Sequence, residues 1–111
     1  MTGERRIIEA SALGIRIDSS TDISDALDTC LGTEGLVLTE NDLGPDFFDL
    51  RTGLAGELFQ KFTNYRVRVA IVLTDPNVYG ERFAQLAYEH ASHRLIRFVP
   101  SLREANSWLS A

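Results

Sequence analysis

Few side chains in this sequence could carry acid–base, nucleophilic or metal chemistry: His90 and His93, the lone Cys30, and a cluster of Asp49, Arg51 and Thr52. The two histidines stand at i and i+3, with Glu89 beside the first. Zinc pairs on one helix more often use i and i+4, and no third histidine or second cysteine could complete a site, so no metal is expected. His90 falls on the apolar stripe of its helix, where a packed, hydrogen-bonded imidazole is the expected role; a hydrolase triad would need it to meet a distant serine in the fold. No Gly-x-Ser-x-Gly, P-loop or dinucleotide fingerprint occurs, so no cofactor is expected and catalysis is the less favoured reading. Cys30 also lies on an apolar stripe and reads as a small buried hydrophobe.

The third cluster is more informative. Asp49 is placed to cap a helix whose first turn holds Arg51 and Thr52. Free backbone N–H groups and the helix macrodipole favour negative charge there, so a phosphate on Thr52 would be stabilised, with Arg51 as an adjacent cation. The unmodified hydroxyl could equally cap its own backbone. Two glycines, Gly53 and Gly56, follow in a helix expected over residues 50–62, each costing about 1 kcal/mol relative to alanine. Laid out at about 100° per residue, they share a side with Gln60, opposite the stripe of Leu54, Ala55, Leu58, Phe59 and Phe62. A strip of bare backbone facing outward admits another backbone or a ligand; the alternative is relief of crowding against a neighbouring element. Asp49, Arg51, Thr52, Gly53, Gly56 and Gln60 are therefore the expected binding surface.

The elements that position this surface follow from periodicity. Residues 5–10 and 13–17 are short, β-branched and partly alternating, and read as a hairpin. Ile23, Ala26, Leu27, Cys30 and Leu31 mark a helix with cap oxygens offered by Ser20, Thr21 and Asp22. Residues 35–40 suit a buried strand, followed by an irregular Asn-Asp-Leu-Gly-Pro segment. After the glycine-bearing helix, residues 66–73 form an almost continuous apolar strand of the kind buried on both faces of a sheet. Phe83, Leu86, Ala87, His90 and Ala91 repeat the helical spacing, residues 95–99 are a strand, and Ser101 with Glu104 makes a capping box for the last helix. The order is ββαβαβαβα, about four helices on a mixed sheet whose N-terminal hairpin precedes parallel strands, with helices long enough for right-handed crossovers.

Composition bounds the rest. A chain of 111 residues, 44% hydrophobic and 24% charged, fits one α/β domain over residues 1–111. Sixteen acids against eleven bases give a net charge of −5, which disfavours phosphate-neutralising contacts with nucleic acid. The charge is uneven: nine acids and no Lys or Arg lie between Arg16 and Arg51, and then Arg51, Lys61, Arg66 and Arg68 face only Glu57. This is a solvated surface of compensating signs or an acidic face that steers a basic partner. One thiol, no signal-peptide h-region and no membrane-length apolar run make a cytoplasmic protein the expectation, with no membrane partner.

The stretch Asp49 to Leu58, preceded by the strand Leu36 to Thr39 and Glu40-Asn41-Asp42-Leu43, resembles the STAS domain of anti-sigma factor antagonists and sulfate transporters. There a strand leads through a loop to Asp-Ser-Ser-Gly-Leu at a helix start, and the later order matches down to Val99-Pro100-Ser101 and Glu104-Ala105. The resemblance implies a STAS-like fold and a partner that is a regulatory kinase or anti-sigma factor, released when the residue before the glycine is phosphorylated. That residue is Thr52 here, with Asp49 as the acid, one extra residue between them and threonine for serine. Over nearly the whole chain, Phe47-Phe48-Asp49-Leu50-Arg51-Thr52-Gly53-Leu54-Ala55-Gly56-Glu57, Gln60-Lys61-Phe62 and Asn64-Tyr65-Arg66-Val67 are similar to the signature of a bacterial family recorded only as a domain of unknown function. That family's usual Glu-Ser-Asn is Glu89-His90-Ala91 here.

Two functions are expected from these readings. The first is a non-catalytic module that binds a protein through the glycine strip, with self-association across it as a further expectation. The second is a small-molecule or anion-binding protein, an enzyme included, with its site at the same helix start near Arg51, Asn64 and Tyr65 and walled by Glu57 and Glu89.

Overall fold

A computed structural model describes residues 6–111. Arg5 of the expected first strand lies outside the described residues, as does most of the segment on which the leader reading rests. In chain order the elements are β1 (Ile7–Glu9), α1 (Ala10–Leu13), α2 (Ser20–Cys30), β2 (Gly35–Thr39), α3 (Pro45–Phe48), α4 (Leu54–Asn64), β3 (Val69–Val72), α5 (Glu81–Glu89), β4 (Ile96–Val99) and α6 (Leu102–Ser110). Short 3₁₀ turns lie at Glu40–Asp42, Leu50–Thr52 and Pro76–Tyr79. No helix among the described residues is long and apolar enough to cross a membrane.

The four strands are all parallel, in spatial order β1-β2-β3-β4, with Val37 paired to Ala70 and Ala70 to Arg97. Right-handed crossovers that step the same way each time put every connecting helix on one face. Accordingly α2, α4 and α5 cover one side, where Ile23, Leu58, Phe62 and Phe83 meet Leu36, Leu38, Ile71 and Phe98 in the main core. The other face carries α6, whose Ala105 and Leu109 pack on Val37, Ala70 and Val99. Enclosed by neighbouring strands and by helices above and below, Val69, Ala70 and Ile71 of β3 are fully buried, as their unbroken apolar run requires.

The α/β class holds; the finer architecture differs from the expected one. Neither the hairpin nor the mixed sheet forms, and six α-helices rather than about four stand among the described residues, so the order is not ββαβαβαβα. Directly after β1 the chain turns into α1, which ends at Gly14 in the left-handed region (φ 70°). Residues 15–17 are consequently carried past β1 to residues 42–44, where Ile17 makes one parallel bridge to Leu43 and exchanges backbone hydrogen bonds with Asp42 and Gly44. The alternation was real, since Ile17 is buried beside an exposed Arg16, but a period of two marks an extended chain without naming its neighbour. The segment expected to be irregular contains α3, with Pro45 in its first turn.

Caps follow local chemistry with one shift. Ser101 Oγ accepts from Glu104 N (3.2 Å) at the start of α6, as expected, whereas α2 is capped by Ser19, which accepts from Asp22 N (3.4 Å), one residue ahead of the expected set. Cys30 is fully buried and its thiol is pushed up to about 11 by burial, an inert core position.

Candidate functional site

The glycine-bearing helix starts later than its apolar spacing implies. Residues Leu50–Thr52 form a 3₁₀ turn, Gly53 sits at its end with φ 78°, and α4 begins at Leu54. Gly53 is therefore a junction between two helices and not an interior residue. Its glycine answers a backbone demand, because an L side chain in the left-handed region clashes with the following carbonyl at a cost of roughly 1–2 kcal/mol. Gly56 is different. It lies in the first turn of α4 with ordinary dihedrals, is exposed, and a Cβ built on it would meet nothing within 4 Å. At Gly44, by contrast, a Cβ would lie 1.8 Å from Asp18 Oδ1, and the Asp18 side chain would have to turn away. No such crowding explains Gly56.

The buried side of α4 overcomes the weakness. Leu58 and Phe62 are fully buried, each contributing about 2 kcal/mol or more by leaving water, against about 1 kcal/mol lost at Gly56. Two polar ties fix α4 to α2: Ser20 Oγ donates to Glu57 Oε1 (2.6 Å) and Lys61 Nζ to Ser24 Oγ (3.0 Å). Thr52, Gly53, Gly56 and Gln60 all remain exposed on this rigidly mounted element.

Asp49 caps the 3₁₀ turn and not α4. Its Oδ1 accepts from Arg51 N (3.1 Å) and Arg51 Nε (3.0 Å), and its Oδ2 from Arg51 Nη2 (3.0 Å). The Arg51 side chain, then its backbone N–H, hold the Asp49 carboxyl below the usual carboxylate range. Thr52 is equally engaged: Oγ1 donates to Asp46 O (2.6 Å), lies 2.9 Å from Asp49 O, and accepts from Leu54 N (3.2 Å). The hydroxyl thus ties α3, the 3₁₀ turn and α4 into one corner.

Beside that corner runs a cleft of about 630 Å³ between Phe48–Arg51 and Tyr79–Phe83. Phe48 and Tyr79 stack face to face on its wall, with centroids 3.8 Å apart, and the Tyr79 hydroxyl donates to the Glu40 carboxylate. Burial first, and Glu40 second, push the Tyr79 phenol up to about 12. Of the groups expected around Arg51, none of Asn64, Tyr65, Glu57 or Glu89 lines this cleft. Asn64 and Tyr65 stand at the other end of α4, about 15 Å away along its axis, and Glu89 ends α5.

Two further sites escaped the sequence reading. Asp42, one of the nine acids between Arg16 and Arg51, is buried and accepts from Ser11 Oγ (3.0 Å), Thr39 N (2.8 Å) and Thr39 Oγ1 (2.9 Å), pinning α1 to the carboxyl end of β2. At the opposite end of the sheet, Thr63, Arg66, Ser92, His93, Arg94 and Leu95 line a hollow of about 600 Å³. The available signal was an absence: the helix ending at Asn64 has no glycine in the next two positions.

The histidines do not assemble a metal site, and no group of three His, Cys, Asp or Glu side chains converges among the described residues. His90 Nδ1–H donates to Leu86 O (3.0 Å) and its ring leans on Phe59 (4.9 Å between centroids), a packing role.

A family model described as a domain of unknown function, DUF4180, matches residues 2–109. No curated protein and no solved structure matches the chain.

Proposed function

We propose that this chain, which belongs to the DUF4180 family of domains of unknown function, acts as a non-catalytic protein-interaction module that docks a partner on the outward face of α4. The observation that carries this reading is Gly56: a helix-weakening residue at a position where nothing in the molecule would touch a side chain. With Gly53 and Gln60 it leaves a low strip along which a partner's backbone could approach closely. The adjoining corner of Asp49, Arg51 and Thr52 supplies the directional contacts. The STAS resemblance makes the partner a regulatory kinase or anti-sigma factor and Thr52 the phosphoacceptor. Phosphorylation would remove the proton that Thr52 donates to Asp46 O, so the same event that adds charge beside α4 would loosen the corner. A second copy of the chain would meet the same strip in a two-fold contact.

The test is Gly56→Leu. It should abolish capture of a partner from the source organism's extract while the melting temperature stays within a few degrees, since the added side chain has free space. Undiminished capture, with the fold intact, overturns the proposal. Light scattering at high concentration tests the two-fold contact.

The cleft beside Arg51 supports the second reading, a site for a small anion, because its volume lies in the range of ligand pockets and a guanidinium stands at its edge. Thermal-shift screening of nucleotides, phosphates and carboxylates against wild type and Arg51→Gln separates the two: stabilisation lost in the variant favours the cleft.

A further inference from the structure

The C-terminus of α4 ends in a Schellman motif. Val67 N bonds to Phe62 O (2.8 Å) and Arg66 N to Thr63 O (3.0 Å), with Phe62 and Val67 both buried as the motif's apolar pair. The motif places Arg66 in the left-handed region (φ 57°), where it is the one non-glycine residue with positive φ among those described. Glycine is the usual occupant because it bears no Cβ penalty. An arginine held in that conformation carries a backbone cost that glycine would not.

That side chain lines the hollow at the amino end of the sheet, together with Arg94, His93, Ser92, Thr63 and Leu95. No carboxylate lines it among the described residues. Four arginines gather near this end, and they divide sharply. Arg68 donates to Glu34 (3.1 Å) and to the last carbonyls of α6, Trp108 O (3.2 Å) and Leu109 O (2.8 Å); Arg97 donates to His93 O (3.0 Å) and Ser92 O (3.3 Å). Both also flank the Trp108 ring, with guanidinium carbons 5.5 and 4.5 Å from its centroid. The exposed guanidinium groups of Arg66 and Arg94 have no hydrogen bond or ion pair among the described residues, and neither have the exposed hydroxyls of Thr63 and Ser92. His93 Nδ1 accepts from Leu95 N and Ile96 N, both at 3.1 Å, which fixes the neutral ring as the tautomer protonated at Nε2. Every polar side chain on the wall therefore has a hydrogen-bond donor to offer.

We infer that this hollow binds the phosphate group of a small phosphomonoester, gripped by the forked guanidinia of Arg66 and Arg94 and by the hydroxyls of Thr63 and Ser92. Forked guanidinium donors match the oxygens of a phosphate, and a dianion with three terminal oxygens uses more of these donors than a carboxylate can. About 600 Å³ is more than a bare phosphate fills, so there is room for the ester's organic part, against which Leu95 offers an apolar surface. The site shares no residue with the docking strip.

The experiment is an amide NMR titration of the full chain with inorganic phosphate, phenyl phosphate and acetate at constant ionic strength. Saturable shifts centred on residues 63–66 and 92–96, with phenyl phosphate binding more tightly than acetate, are expected. Arg66→Gln and Arg94→Gln should each weaken binding about tenfold or more, the loss of one charge-assisted pair, while Arg103→Gln, at an exposed position of α6, leaves it unchanged. Arg94 lies in an exposed loop, so its variant remains informative if Arg66→Gln lowers stability. Absence of saturation at tens of millimolar, equal binding of acetate, or shifts centred on residues 49–51 would each overturn the assignment.

Discussion

The two ends of α4 meet the same backbone demand with opposite residues. At its start the chain passes through the left-handed region at Gly53 (φ 78°), and just past its end it does so again at Arg66 (φ 57°). Around Gly53 nearly every polar group has a partner: Asp49 holds Arg51, and Thr52 bonds both upstream and downstream. Around Arg66 its own guanidinium, that of Arg94 and the hydroxyls of Thr63 and Ser92 have none among the described residues. The first end is a junction whose polar groups are used within the molecule; the second carries exposed donors that the described residues leave unused. Positive φ alone does not distinguish a structural turn from a binding site. What distinguishes them is whether the side chain placed there is used within the molecule.

The comparison can be broken most forcefully at its support. Asp42→Ala removes the buried acceptor that serves Ser11 and Thr39, and should cost about 2–3 kcal/mol, lowering the melting temperature by roughly 10 °C or more; a change under roughly 1 kcal/mol would mean that the carboxyl end of the sheet is not held as described. Next come the two left-handed positions, which should respond with opposite signs. Gly53→Ala should destabilise by about 1 kcal/mol, and Arg66→Gly should stabilise by a similar amount while weakening phosphate binding about tenfold or more. Chemical denaturation of both variants reads this directly, and matching signs would dissolve the contrast. Smaller still, Gly56→Ala should stabilise by up to ~1 kcal/mol, because α4 gains helix propensity with no clash; a loss of stability would mean that the strip is already occupied.

The gentlest probe is acid. Burial first, and then His90, Arg94 and Arg97, hold the His93 imidazole below its usual value of 6.5. A folded state that resists protonating this ring takes up fewer protons than the unfolded chain. Its contribution to stability is then complete above the unfolded pKa and lost as pH falls through the folded value. An NMR titration should place the His93 midpoint below 6.5, and His93→Gln should flatten the fall in melting temperature between about pH 7 and pH 5. A midpoint above 6.5 in phosphate-free buffer would contradict the crowded cationic hollow.

Much of the glycine-bearing region could be read before the fold was known. The apolar stripe of Leu54, Ala55, Leu58 and Phe62 is buried, and Gly56 and Gln60 face outward as their angular positions require. Gly53 is a junction and not the interior residue expected, because hydrophobic spacing cannot separate a 3₁₀ turn from the α-helix that follows it. Arg51 is near Asn64 and Tyr65 in sequence, yet a helix of 11 residues holds them apart.

The sequence by itself determined the helices α2, α4, α5 and α6, the strands β2, β3 and β4, the apolar sides of those helices, and that Ser101 would cap the last one, because those properties depend on repeats of 3.6 and 2 residues and on groups three positions apart. Tertiary structure alone decided that all four strands run parallel, that Ile17 sits beside Leu43, and that Thr63 and Arg66 share one hollow with residues 92–95. Those outcomes depend on where the chain goes after it leaves each element. A single left-handed residue such as Gly14 redirects that path without disturbing the periodic pattern on either side.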